Sequence, residues 1–128
     1  MTLDNIPPFA QPPAHVVRYV ETLGVDQAVE FLLKFGGAEL YLSRNPTARS
    51  ELVKAFGIDA ARKLGEAADE YDLPARVPTA KKWVALVLWS QGLTGAEIAR
   101  RLHMSDTTVR SWINAAKDKI DPRQADLF

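Results

Sequence analysis

Residues Leu93–Ile113 read LTGAEIARRLHMSDTTVRSWI. Thr94 and Glu97 stand three apart, the spacing at which a threonine hydroxyl and a glutamate carboxylate cap a helix reciprocally, so a helix is expected from Gly95. Ser105 is the next cap residue and starts a second helix at Asp106. The first helix then ends near Leu102, which leaves His103 and Met104 as the whole connection. Apolar positions fall at Ile98, Leu102, Met104, Val109 and Trp112, and Ala99 stands where the helices must approach closely. A turn this tight calls for a left-handed backbone conformation. Glycine is usual there, and His103 tolerates it at some strain.

This spacing resembles the helix-turn-helix family of DNA-binding proteins in its tri-helical form, which implies that the second helix enters the major groove. Asp106, Thr107, Arg110, Ser111 and Asn114 lie away from the apolar positions and are the expected base contacts. Arg110 suits guanine, Asn114 suits adenine, and Asp106 suits the amino group of cytosine. Lys81, Lys82, Thr94, Arg100, Arg101, Ser105 and Thr108 are expected at phosphates. The plain alternative is a helical hairpin with a solvated polar face. Two matching caps around so short a turn are more specific than a basic run, and favour the DNA reading.

Charge agrees once it is divided along the chain. The 128 residues sum to zero. Residues 76–128 nevertheless hold nine Lys/Arg against five Asp/Glu, a net of +4, and residues 1–75 hold seven against eleven, a net of −4. The positive end is the end carrying the quoted stretch. There is no cysteine, which excludes disulfides and thiolate metal sites. His15 and His103 have no ligand-spaced carboxylates around them, so no metal or other cofactor is expected. Ser90, Ser105 and Ser111 have no evident histidine partner, so the chain is not expected to be an enzyme. The opening MTLDNIPPFAQPPA has neither the basic nor the apolar region of a signal peptide. The apolar run Trp83–Trp89 is far too short to span a bilayer. A cytoplasmic, nucleoid-associated protein is expected, bacterial or phage-encoded, with no membrane partner.

Upstream the pattern is mainly helical. Pro7, Pro8 and Pro12 mark residues 1–12 as a flexible tail. A helix is expected from Pro13 to about Thr22, and another over Gln27–Phe35 with Asp26 as its cap and Gly36-Gly37 as its stop. Ala38–Leu42 reads as a short strand. Asn45-Pro46 is expected to open a helix that Gly57 closes, and Asp59 to cap one reaching Tyr71. Leu73–Val77 is extended because Pro74 and Pro78 disfavour helix before them. A helix over Thr79–Gln91 contains WVALVLW, apolar on every side, so the helix-turn-helix is expected to cover one side of it and the upstream domain or a second subunit the other. Trp83 and Trp89 within it suit core packing better than base stacking.

The first hundred residues also echo internally. LGVDQAVEFL (23–32) aligns with FGIDAARKLG (56–65), and NPTARSEL (45–52) with VPTAKKWV (77–84). The segments around Leu40 and Leu73 therefore occupy equivalent places. Two short extended pieces need partners, and pairing across a dimer is one solution. The expected organisation is a helical dimerisation domain with short strand segments at 13–77, a helix-turn-helix domain at 78–119 and a C-terminal tail at 120–128.

FGGAELYL (35–42), after the helix VDQAVEFLLK, resembles the Mor (middle operon regulator) family of phage-type transcription activators. The resemblance runs from Leu23 to Ile113 and is carried by Phe35, Gly36, Gly37, Leu40, Tyr41 and the DNA-binding motif. It implies an N-terminal dimerisation domain, two recognition helices on an imperfect inverted repeat of double-stranded DNA, and activation through RNA polymerase. The final residues QADLF resemble the pentapeptide that bacterial replication proteins insert into the DNA polymerase sliding clamp, with Gln124, Asp126, Leu127 and Phe128 at its positions. The leading expectation is thus a homodimeric, sequence-specific transcription regulator, an activator of phage or mobile-element genes. A site-marking replication or packaging adaptor that recruits the clamp is the second, and a protein-interaction module with no DNA role the third.

Overall fold

The computed structural model describes residues 6–120. The clamp-like pentapeptide at 124–128 lies outside them. Among the described residues, seven α-helices follow a short 3-10 turn at Pro8–Ala10: α1 (Ala14–Leu23), α2 (Val25–Phe35), α3 (Glu51–Phe56), α4 (Ile58–Tyr71), α5 (Lys81–Ser90), α6 (Gly95–Leu102) and α7 (Asp106–Asp118). The described chain forms two compact units, one of residues 12–79 and one combining 6–11 with 80–120.

The first unit is built on the internal echo. A single glycine separates α1 from α2, and another separates α3 from α4. Gly24 (φ 82, ψ 163) and Gly57 (φ 89, ψ 163) adopt the same backbone conformation, one that side-chain-bearing residues rarely enter. Each amide closes the helix before it, on Val20 O and Val53 O, and each carbonyl accepts from the helix after it, from Ala28 N and Ala61 N. The glycines are therefore both stop and start. Asp26 and Asp59, expected as caps, stand instead inside the first turns, where their charge complements the N-terminal end of the helix. α1 packs on α2 and α4, and α3 packs on α4. Phe31 is the hub of the core: its ring stacks on Tyr19 at 5.6 Å and meets Phe35 and Phe56. Burial without a hydrogen-bond partner among the described residues pushes the Tyr19 phenol above its ordinary pKa.

The extended pieces after α2 and α4 pair with each other. Glu39 and Arg76 form an antiparallel bridge, flanked by Gly37 N–H to Val77 O (2.7 Å), Val77 N–H to Ala38 O (2.9 Å) and Leu40 N–H to Ala75 O (2.8 Å). Pairing inside one chain satisfies these backbone groups, so they need no second subunit. Two further expectations change. Residues 45–50 are not helical, because Ser50 accepts from the amides of Leu52 and Val53 and starts α3 at Glu51. The helix expected from Thr79 starts at Lys81, after Ala80 turns the chain with a left-handed conformation (φ 44).

The second unit contains the largest difference. Residues 6–11, expected as part of a flexible tail, form a strap on α5. Ile6 and Ala10 are buried. The Trp83 indole N–H donates to Ala10 O at 2.8 Å, and the Phe9 ring lies 5.1 Å from that of Trp89. Gln11 Nε2 donates back to Ile6 O and holds the strap's own shape. The apolar girth of α5 thus has its cover: the strap on one side, α6 and α7 on another. Ile98, Ala99, Leu102, Val109, Ile113 and Ala116 complete this core.

Candidate nucleic-acid interface

The joint between α6 and α7 is fixed at both ends. Thr94 Oγ1 accepts from Glu97 N (3.2 Å), and the Thr94 backbone N–H donates to Glu97 Oε1 (3.4 Å), which completes the capping box; the Thr94 hydroxyl also donates to Glu97 Oε1 (3.0 Å). At the other end of α6, His103 is left-handed (φ 54, ψ 49). Its amide reaches Arg100 O, and the next amide, of Met104, reaches Ala99 O at 3.0 Å. Those crossed bonds are a Schellman closure, which satisfies the last carbonyls of the helix and reverses the chain within two residues. Ser105 then caps α7, accepting from Thr108 N at 3.2 Å and donating to Thr108 Oγ1 at 3.0 Å.

This turn carries measurable strain. A histidine in the left-handed region costs about 1–2 kcal/mol over glycine, part of which returns as the extra chain entropy glycine loses. His103→Gly is expected to stabilise the protein by about 0.5–1 kcal/mol. The measurement is a Tm shift, and a lower Tm would show that the imidazole makes a contact worth more than the strain.

The five residues expected to meet bases, Asp106, Thr107, Arg110, Ser111 and Asn114, are all exposed, while Val109, Ile113 and Ala116 turn inward. They do not share one direction. Thr107 and Ser111 point opposite the buried residues, and Asn114 stands between them and Arg110. Asp106 and Arg110 stand to the side and line a cleft of about 400 Å³ with Asn114, Lys117, Trp89, Gly95 and Ala96. The ammonium of Lys117 lies 6.0 Å over the Trp89 ring. Sequence reasoning passed over Lys117 and also over Ala115 and Asp118, which are exposed on α7. The period of the buried residues could have found Ala115 and Asp118, since both fall among the outward positions at helical spacing.

Of the residues expected at phosphates, Lys81, Lys82, Arg100 and Arg101 are exposed. The hydroxyls of Thr94 and Ser105 are spent on their caps, both as donors and as acceptors. Thr108 is half-buried beside Ser105. Trp83 is 4% exposed and hydrogen-bonded to the strap, so it packs and does not stack on bases. Among the described residues no cluster of His, Cys, Asp or Glu could hold a metal ion, and no helix is long and apolar enough to cross a membrane.

Residues 77–123 match the family described as the homeodomain-like domain. None of the curated proteins and none of the solved structures matches the chain. The C-terminal part of this mainly helical protein is therefore a homeodomain-like helix-turn-helix domain, a kind of domain that binds DNA.

Proposed function

We propose that this protein is a sequence-specific, double-stranded DNA-binding transcription regulator and not an enzyme. The observation that carries this reading is the outward side of α7. Thr107, Ser111 and Asn114 hold hydroxyl and amide groups clear of the protein, with no partner among the described residues. Their helix is fixed from behind by a buried apolar row and at its start by a cap. Groups so presented at a groove floor read bases, and the exposed Lys81, Lys82 and Arg100 supply cations for the strands beside it.

The protein acts as a homodimer on an inverted repeat. One recognition helix reads only a few base pairs, and a twofold pair of modules on half-sites one helical turn apart extends both contact and specificity. Activation of phage or mobile-element genes through RNA polymerase rests on the likeness of residues 35–42 to the Mor family.

Salt separates this reading from a protein-interaction module, because phosphate contacts release counterions and make affinity fall steeply with ionic strength. Ser111→Glu places a carboxylate at the centre of the outward side. It is expected to weaken binding to a selected duplex by at least about a hundredfold, since like charges brought together in an interface cost several kcal/mol. Its Tm should equal the parent's, because Ser111 is exposed. Undiminished binding by the folded variant would remove α7 from the interface.

A further inference from the structure

Trp89 stands near the end of α5, half-buried, and its ring meets two other parts of the second unit. Phe9 of the strap lies 5.1 Å from it, with the two rings tilted at 57°. The ammonium of Lys117, in the last turn of α7, lies 6.0 Å over it. Trp89 and Lys117 also border the cleft beside α7. Phe9 is itself held in place, because Ile6 before it is buried and Ala10 after it accepts from Trp83.

We infer that Trp89 is a positioning residue for DNA binding: the strap steadies its ring through Phe9, and the ring holds the Lys117 ammonium at the edge of the cleft, so the strap tunes the DNA affinity of the helix-turn-helix as well as its stability. The inference rests on the DNA-binding reading above and deepens it by tying the strap to the same site. A lysine has a flexible four-carbon stem and much rotamer freedom to lose when it meets a phosphate. A cation already held beside its target loses less of that freedom on binding. An aromatic face supplies such a hold, because the electron-rich ring attracts an ammonium. Asp106 and Arg110 border the same cleft with opposite charges. Among the described residues Lys117 lies within ion-pair distance of no carboxylate, which leaves the Trp89 ring as its anchor. The C-terminal end of a homeodomain's third helix meets the DNA backbone, and Lys117 stands at that end of α7. What Trp89 positions is thus a cation for a strand, with no base assigned to it.

The test uses the full chain, first without DNA. An indole ring current moves protons held over the ring to high field, and the ε-methylene protons of Lys117 are expected at high field in the parent's NMR spectrum. Phe9→Leu keeps an apolar side chain on the strap and removes its ring. It is expected to reduce that displacement, and Trp89→Leu to abolish it. Binding is then measured on a duplex selected from a random pool. Lys117→Ala should lower the slope of log affinity against log salt by about 1. Phe9→Leu and Trp89→Leu should each weaken binding by up to about fivefold, the worth of an exposed cation–aromatic contact. Neither should weaken it further in the Lys117→Ala background, which is the mark of a shared interaction. Melting curves set a temperature at which each variant is folded, and Phe9→Leu carries the cycle alone if Trp89→Leu does not fold. A Lys117 signal that is not displaced in the parent, or that Phe9→Leu leaves as it was, overturns the inference and leaves DNA binding intact. So do losses as large in the Lys117→Ala background as in the parent, because they would make the ring contacts purely structural. Failure of the folded parent to bind any duplex overturns the DNA-binding reading, and the inference with it.

Discussion

Gly65→Ala is expected to destabilise the first unit by about 3 kcal/mol or more. In the middle of an exposed helix the same exchange ordinarily stabilises by about 1 kcal/mol, because alanine has the higher helix propensity. The sign reverses here because Gly65 is buried in α4 against the backbone of Ser43 and Arg44. A methyl group there would overlap the Ser43 carbonyl, and backbone cannot rotate aside as a flexible side chain does. The segment must lift off α4, which also separates the Arg44–Asp69 ion pair of 3.3 Å. That pair is well exposed and adds little by itself. All three tyrosines, Tyr19, Tyr41 and Tyr71, lie in this unit, so a urea titration followed by near-ultraviolet tyrosine signals reads the effect directly. A raised midpoint would mean that residues 43–44 are not seated on the glycine.

Removing residues 1–11 is expected to unfold the helix-turn-helix unit while the first unit stays intact. The loss is the sum of separate contacts. Burial of Ile6 contributes about 2 kcal/mol, the Phe9–Trp89 ring pair about 1, and the indole hydrogen bond about 1. A unit this small holds only about 3–6 kcal/mol in total, so the loss is comparable to its whole stability. Trp83, Trp89 and Trp112 all lie in it, so tryptophan emission reports on it alone. A red shift toward solvated indole and loss of DNA binding are the expected results. Native emission with an unchanged Tm would show that the strap is dispensable. The same reasoning applies to residues 77–123, the segment that matches the homeodomain-like family: expressed alone, it lacks the strap and should fold poorly.

What the sequence made legible follows the range of the interactions involved. The capping box at Thr94 and Glu97, the cap at Ser105 and the turn at His103 are bonds between residues at most five apart, and each is where the motif places it. Gly57 was legible as a helix stop, and the break between Thr22 and Asp26 was legible without Gly24 being singled out. Their second role, starting the next helix, was hidden because aspartate two residues later is also a reasonable cap. Asn45-Pro46 carries a strong start signal, but Ser50 lies closer to the apolar residues that α3 buries and wins. The strap was missed for a different reason. A proline-rich opening reads as a tail on local evidence, and its receptor is 73 residues away in the chain. The clue was indirect: Ile6 and Phe9 are apolar among prolines, and α5 is apolar on every side. On α7, exposure was legible from the apolar period, whereas the turn of Arg110 toward the flank needed the positions of Gly95, Ala96 and Trp89 around it.

That 73-residue separation sets an order of events during synthesis. Ala10 leaves the ribosome long before Trp83 exists, and the intervening helices α1 to α4 have everything they need to fold in the meantime. The opening residues must therefore wait, with Ile6 and Phe9 unburied, until α5 emerges and gives them a surface. A nascent chain stalled before residue 80 carries a finished first unit and none of the helix-turn-helix, so the domain of the DNA-binding kind takes shape only after the first unit has folded.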